Sequence, residues 1–282
     1  MRVRLERLDS YAHDGLVFDV SDQGPLDGPP VVLLHGFPQR ATSWNQVAPL
    51  LHAAGMRTLA PDQRGYSRGA RPRGRSSYRM SRLVQDVVGL VETLGQGRVH
   101  LVGHDWGSAV AWALAATRPD LVSTLTSVSV PHPGAMVRSM RYADQLRRCW
   151  YMGFFQLPWL PERLLCSRRS GLERELRRAG LPADALARVW PEIIEDGALT
   201  GALNWYRAMP FSDPRVLRGR VRVPTTHVWS DGDVALGREG AELTGAYVDA
   251  PYRLEILAGI SHWIPNEAPE RLAKIVLARV RS

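Results

Sequence analysis

The sharpest chemical signal in this 282-residue sequence is the pentapeptide Gly-His-Asp-Trp-Gly at residues 103–107. It follows an apolar segment typical of a strand, residues 98–102, and precedes a helical pattern over residues 108–117. A glycine-flanked residue between a strand and a helix is typical of a nucleophile elbow, a tight turn that projects one side chain above a sheet. The projecting residue is Asp105, whose carboxylate can attack carbon and form an ester. The alternative is a turn in which Asp105 only caps the helix.

A second segment, Gly-Tyr-Ser-Arg-Gly at residues 65–69, fits the same pattern with Ser67 at its centre. Residues 61–64 separate it from the preceding strand, and no helical pattern follows it. Because the motif has meaning only between a strand and a helix, Ser67 is not expected to be a nucleophile.

A nucleophile that forms an ester also needs donors for the oxyanion that develops on the ester carbonyl. His-Gly-Phe-Pro at residues 35–38 directly follows the apolar run 31–34. A loop in that place can direct a backbone N–H at the site, and the residue after the nucleophile can supply another. Phe37 and Trp106 are therefore the candidate oxyanion hole. The alternative is a turn that contains glycine and proline for conformational reasons alone.

Hydrolysis of such an ester needs a base that activates water. His262 is the best candidate, since it follows the last predicted strand in Gly-Ile-Ser-His-Trp at residues 259–263. The order nucleophile, acid, histidine along the chain is one that catalytic triads use. His35 and His104 lie beside the predicted turns and are expected to hold loops. His132 remains open as a candidate.

An acid should orient the imidazole through its other nitrogen. The segment 229–234, Trp-Ser-Asp-Gly-Asp-Val, offers Asp231 and Asp233 after a predicted strand. Either aspartate could instead form a turn. We favour Asp233.

The elements that must position these residues alternate between strand and helix patterns. This alternation predicts an α/β protein with a mostly parallel central sheet and helices on both faces. Strands are predicted at residues 31–34, 56–60, 98–102, 124–130, 225–229 and 252–257. Between them, residues 131–212 are rich in arginine, proline and aromatic residues and show no strand pattern. We therefore expect a core of residues 1–130 and 213–282 interrupted by a helical cap, residues 131–212.

Composition excludes several classes of protein. The net charge is +8, but the basic residues, all arginine except Lys274, are spread along the chain and form no nucleic-acid-binding motif. Cys149 and Cys166 have no metal-ligand or C-x-x-C spacing. No apolar run approaches the roughly 20 residues of a membrane span. The charged start, residues 1–7, predicts no signal peptide. We expect a cytoplasmic protein without nucleic-acid or membrane partners.

These residues together resemble the α/β-hydrolase fold and, within it, the aspartate-nucleophile epoxide hydrolases. The matching segments are residues 35–39, 62–67, 103–107, 232–233 and 259–263. In that family two cap tyrosines hydrogen-bond and protonate the epoxide oxygen. The segments 150–158 and 203–207 resemble those that carry them, which implies these roles for Tyr151 and Tyr206. A phenol suits the task because it stays protonated near neutral pH. Both could instead be core aromatics.

The resemblance implies hydrolysis of an apolar epoxide by water to a vicinal diol, with neither metal nor organic cofactor. A dehalogenase with the same nucleophile and base is the nearest alternative. Phe37 stands where haloalkane dehalogenases carry a polar donor, and Trp106 stands where fluoroacetate-type dehalogenases carry arginine. A ligand-binding protein without catalysis is the other alternative. Monomer and homodimer both remain open.

Overall fold

The computed structural model describes residues 6–95, 97–167, 171–213, 215 and 218–282. Most of the charged start on which the absence of a signal peptide was predicted, residues 1–5, lies outside the described residues. One eight-stranded sheet has the order β1-β2-β4-β3-β5-β6-β7-β8. Its strands are β1 (Ser10–His13), β2 (Leu16–Gln23), β3 (Pro30–Leu34), β4 (Arg57–Pro61), β5 (Val99–His104), β6 (Val122–Val128), β7 (Thr225–Ser230) and β8 (Tyr252–Leu257).

From β4 to β8 all neighbouring strands are parallel, whereas β1 pairs with β2, and β2 with β4, in antiparallel fashion. The predicted mostly parallel sheet is confirmed. The sequence patterns missed the β1–β2 hairpin, although Asp14-Gly15 is a known hairpin signal. Both residues have positive φ, 51° and 72°, as a two-residue turn of that type requires.

Helices follow most of the parallel strands. The structure describes α1 (Ala48–Ala53), α2 (Met80–Leu94), α3 (Trp106–Thr117), α4 (Pro133–Ser139), α5 (Ala143–Arg148), α6 (Trp150–Phe154), α7 (Leu160–Leu165), α8 (Gly171–Arg178), α9 (Ala183–Val189), α10 (Leu199–Arg207), α11 (Arg238–Thr244), α12 (Ile264–Glu267) and α13 (Pro269–Val280). In this described part of the chain, no helix has the length and apolar character needed to cross a bilayer.

Strand β3 shows why the sheet is covered on both faces. Val32 and Leu34 belong to one buried cluster, which includes residues of α2 and α3. Val31 and Leu33 belong to a second cluster, which includes residues of α1 and α13. Since successive side chains of a strand point to opposite faces, an uninterrupted apolar run marks a strand buried on both sides.

The segment between β6 and β7 carries helices α4–α10, and none of its described residues lies in a strand. Asp196, just before α10, attaches this insertion to the core. Its carboxylate contacts the guanidinium groups of Arg40 and Arg71 and accepts a hydrogen bond of 2.5 Å from Arg68. Arg71 also donates to the Asp196 carbonyl at 2.6 Å. Partial burial works against the ionised form, but the three arginines hold the pKa of Asp196 at about 2.

Replacing Asp196 with Asn should lower the midpoint of thermal unfolding by about 5 °C at neutral pH, because three core arginines lose their shared partner. The native carboxylate has a pKa below its ordinary 3.8, so its stabilisation is complete above pH 4 and lost as the pH falls toward 2. The difference between wild type and variant, measured by circular dichroism, should shrink over that interval. Asp144→Asn, which removes an exposed carboxylate paired within the insertion, should leave the midpoint unchanged. A difference that persisted at pH 2 would contradict this account.

Candidate active site

Asp105 occupies the turn between β5 and α3. Its backbone has φ 52° and ψ −121°, a conformation rare for a residue with a side chain. The carboxylate lies between a backbone donor and a histidine. The Phe37 N–H donates to Asp105 Oδ1 at 2.8 Å, and His262 Nε2 lies 3.6 Å from Asp105 Oδ2. The turn thus brings together the predicted nucleophile, one predicted oxyanion donor and the predicted base.

Glycines allow the close packing that this turn needs. A Cβ on Gly36 would lie 2.3 Å from the Asp105 Cβ, and a Cβ on Gly107 would lie 2.2 Å from the Leu34 carbonyl oxygen. Real Cβ atoms essentially never approach other atoms so closely. The end of β3 and the start of α3 can therefore approach each other only where side chains are absent.

The other oxyanion candidate, Trp106, is the first residue of α3. The first N–H groups of a helix have no partner within the helix, so the Trp106 N–H is one of the groups of α3 without an intrahelical acceptor. Its side chain packs edge-on against Tyr206, with ring centroids 5.0 Å apart.

The structure brings Asp233, and not Asp231, to the imidazole. His262 Nδ1 and Asp233 Oδ2 are 2.7 Å apart. The second Asp233 oxygen accepts the N–H groups of Ala235 at 2.8 Å and Leu236 at 2.9 Å. Asp231 instead accepts the Gly259 N–H at 2.7 Å on the exposed surface, a turn-forming contact.

These contacts set the charges of the site. Burial favours the neutral acid at Asp105, but the neighbouring imidazole of His262, aided by the Phe37 N–H, holds its pKa below the ordinary value. Burial also opposes a charged imidazole, yet the carboxylates of Asp233 and Asp105 raise the pKa of His262 to about 10. The arrangement therefore stabilises an ionised Asp105 beside an imidazolium.

The remaining histidine candidates have structural contacts. Burial lowers the pKa of His104 to about 4 and that of His35 to about 3, so both are neutral near pH 7. His104 Nε2 donates to the His262 carbonyl at 3.0 Å, and His35 Nε2 accepts the Gln63 N–H at 3.1 Å. His132 caps α4 by accepting the Gly134 N–H at 3.0 Å.

The serine of the second glycine-flanked motif is also structural. Ser67 is fully buried, and its hydroxyl accepts the Asp19 N–H at 2.7 Å and donates to the Asp62 carbonyl at 3.0 Å. These bonds connect the loop after β4 to β2.

The two predicted tyrosines lie together in an aromatic cluster, with ring centroids 6.0 Å apart. Tyr206 also contacts Phe37 at 5.4 Å and Phe155 at 5.0 Å. Burial raises the pKa of both phenols well above 10, with further contributions from the Asp105 carboxylate and, for Tyr206, from Tyr151. Both phenols are therefore protonated and lie near the Asp105 charge.

Two residues that the sequence did not single out connect the segments of these tyrosines. Gln156 Nε2 donates to the Tyr206 carbonyl at 2.8 Å. Arg207 donates to the carbonyls of Phe155 at 2.9 Å and Leu157 at 2.7 Å. Gln156 lies in the segment 150–158 and Arg207 in the segment 203–207. The family resemblance of these two segments was the only feature of the sequence that pointed to them.

Comparison with known proteins agrees with this geometry. Residues 29–166 match a family model described as alpha/beta hydrolase fold. The chain is 35% identical over 276 residues to the AB hydrolase superfamily protein YfhM of Bacillus subtilis, covering 95% of this chain and 96% of that protein. It is 32% identical over 275 residues to human Epoxide hydrolase 4, covering 93% and 75%. The crystal structure of epoxide hydrolase VrEH1 from Vigna radiata superposes with a TM-score of 0.81 at 26% identity, covering 96% and 97%.

The sheet, the elbow and these similarities define a protein of the α/β-hydrolase fold. Within that fold, the chain belongs to the epoxide hydrolase family. The family resemblance inferred from the motifs is confirmed.

Replacing Gly107 with Ala should destabilise the protein by about 1–3 kcal/mol, because the new methyl group would force β3 and α3 apart. Urea unfolding would measure the change. Gly153→Ala is the matched control, since Gly153 is an exposed residue of α6 with no atom within 4 Å of the added Cβ. That change should be neutral or slightly stabilising. Equal stability of the two variants would show that the close approach at Gly107 has no energetic consequence.

Proposed function

We propose that this protein hydrolyses an apolar epoxide to a vicinal diol through a covalent ester on Asp105. The observation that carries the proposal is the position of the Asp105 carboxylate between the Phe37 N–H and His262 Nε2. Similarity to proteins named epoxide hydrolases supports the same substrate class. Residues 131–212 would act as the cap that closes the site and supplies Tyr151 and Tyr206.

In the first step, an ionised Asp105 oxygen attacks a ring carbon of the epoxide. A carbon–oxygen bond forms to Asp105, and the bond from that carbon to the ring oxygen breaks. The alkoxide takes a proton from Tyr206 or Tyr151. Because both phenols are protonated and lie in an aromatic cluster, they can donate where the substrate is apolar, and the resulting phenolate can regain a proton from the His262 imidazolium.

In the second step, neutral His262 removes a proton from water, and the hydroxide adds to the Asp105 carbonyl carbon. The tetrahedral oxyanion accepts the N–H groups of Phe37 and Trp106. The ester bond then breaks, and the diol oxygen takes the proton from His262. The proton left on the Asp105 carboxyl passes to the now neutral His262, which restores the imidazolium and an Asp105 carboxylate with one oxygen from water.

The charges explain why the base becomes active only after the ester forms. In the free enzyme, two carboxylates stabilise the charged imidazole. Esterification removes the negative charge of Asp105, so the pKa of His262 falls and the neutral base becomes accessible. Asp233 remains to stabilise the imidazolium that forms when water is deprotonated.

Replacing His262 with Gln should stop turnover at the ester. Mixing the variant with an epoxide such as styrene oxide should give a protein adduct of substrate mass on Asp105, with diol release slowed by at least about 10³-fold. The intact-protein mass and a peptide map would measure this.

In the wild type, one turnover in H₂¹⁸O should label Asp105 before any diol; label appearing first in the diol would contradict the covalent route. Halide release from haloalkanes without diol formation would instead favour the dehalogenase.

Replacing Tyr206 with Phe should lower kcat/KM for epoxides by about 10²-fold, and the Tyr151→Phe/Tyr206→Phe double variant should lose more, because the alkoxide then lacks its acid. Diol formation measured by chromatography would follow the loss. Tyr142→Phe, at an exposed tyrosine of the same insertion, is the matched control and should retain wild-type kinetics. Unchanged activity in the double variant would rule out these phenols as the acid.

A further inference from the structure

The loop that carries Asp233 is held by a residue of the insertion. This loop, residues 233–237, lies in the connection between β7 and α11 and has no regular structure. Gln145, on α5, is 1% exposed. Its Nε2 donates to the Ala235 carbonyl at 3.0 Å, and its Oε1 accepts the Gly237 N–H at 2.7 Å. One side-chain amide therefore binds the loop backbone at two points.

Other contacts hold the same loop less completely. Arg148, one turn after Gln145, donates to the Asp233 carbonyl at 2.9 Å, but it also pairs with the exposed Asp144. Trp229 Nε1 donates to the Leu236 carbonyl at 3.1 Å. Gln145 is the buried member of this set that both donates to and accepts from the loop.

Gln145 also connects the Asp233 loop to the segment that carries Tyr151. Cys149 follows α5 directly, accepts a hydrogen bond of 3.1 Å from Gln145 Nε2, and leads into α6, which carries Tyr151. The segment that contains the proposed proton donor is thus attached through Gln145 to the loop that contains the proposed triad acid.

The two steps of the reaction depend differently on that loop. Attack on the epoxide needs an ionised Asp105 and a phenol, and it requires no base. Hydrolysis of the ester creates an imidazolium whose remaining carboxylate neighbour in the triad is Asp233. Displacement of Asp233 from His262 should therefore slow the second step more than the first.

We propose that Gln145 is a positioning residue for ester hydrolysis, holding residues 233–237 so that Asp233 stays against His262. The proposal rests on the two-step route proposed above. In this proposal Gln145 acts on the reaction through the loop backbone, which it binds at Ala235 and Gly237.

The test compares Gln145→Met with wild type by steady-state kinetics and by the esterified fraction of the protein after rapid quenching. Methionine has a similar length but makes none of the three hydrogen bonds. We expect kcat to fall about 10- to 100-fold. KM should fall with it, leaving kcat/KM nearly constant, while the esterified fraction rises.

Gln156→Met is the matched control, because Gln156 is a glutamine of the same insertion that binds the Tyr206 carbonyl and not the loop of residues 233–237. It should not raise the esterified fraction. If Gln145→Met fails to fold, Gln145→Glu keeps the side-chain length and the acceptor for Gly237 but loses the donor to Ala235. It should change kcat, KM and the esterified fraction in the same directions as Gln145→Met, but by smaller amounts.

A fall in kcat/KM at constant KM, with no extra ester, would overturn the role of Gln145 and leave it a purely structural residue. The His262→Gln variant separates this outcome from failure of the general mechanism. If His262→Gln accumulates ester and the Gln145 variants do not, only the present inference fails. If no variant ever forms ester, the proposed function fails.

Discussion

The candidate site depends on one close approach, between the end of β3 and the turn that carries Asp105. The backbone at Gly36 and Gly107 lies so near to its neighbours that any side chain there would overlap them. This packing brings the Phe37 N–H within 2.8 Å of the Asp105 carboxylate and starts α3 immediately behind it. Steric fit at these two glycines thus determines that the Asp105 carboxylate lies beside the Phe37 N–H.

Given that position, electrostatics determines the protonation states. One imidazole lies between two carboxylates in a buried place, and the same contacts that lower the pKa of Asp105 raise that of His262. In the proposed mechanism, the conversion of one of these carboxylates to an ester would lower the proton affinity of the imidazole. Under that proposal, the loss of one negative charge would by itself convert His262 from a group that stabilises Asp105 into a base.

The insertion makes specific polar contacts with the core of the protein. Asp196 binds three arginines of the core, and Gln145 binds the loop of Asp233. Both contacts connect elements far apart in sequence through buried or half-buried polar groups, which are costly to leave without partners. The helices that carry Tyr151 and Tyr206 are therefore held relative to the triad by specific hydrogen bonds in addition to apolar packing.

The sequence alone determined the features that depend on local pattern: the apolar strands, the helical insertion, and the strand–turn–helix setting that separated Asp105 from Ser67. Strand pairing and long-range contacts were decided only in three dimensions. Asp231 and Asp233 lie two residues apart in one turn, and the choice between them depends on where His262, 29 residues later, is placed by the fold. Gln145 gave no local signal either, because a glutamine on a helix acquires its meaning from a loop 90 residues away. Local sequence restricts φ and ψ and sets which face is apolar, whereas contacts between distant side chains exist only once the sheet has brought their elements together.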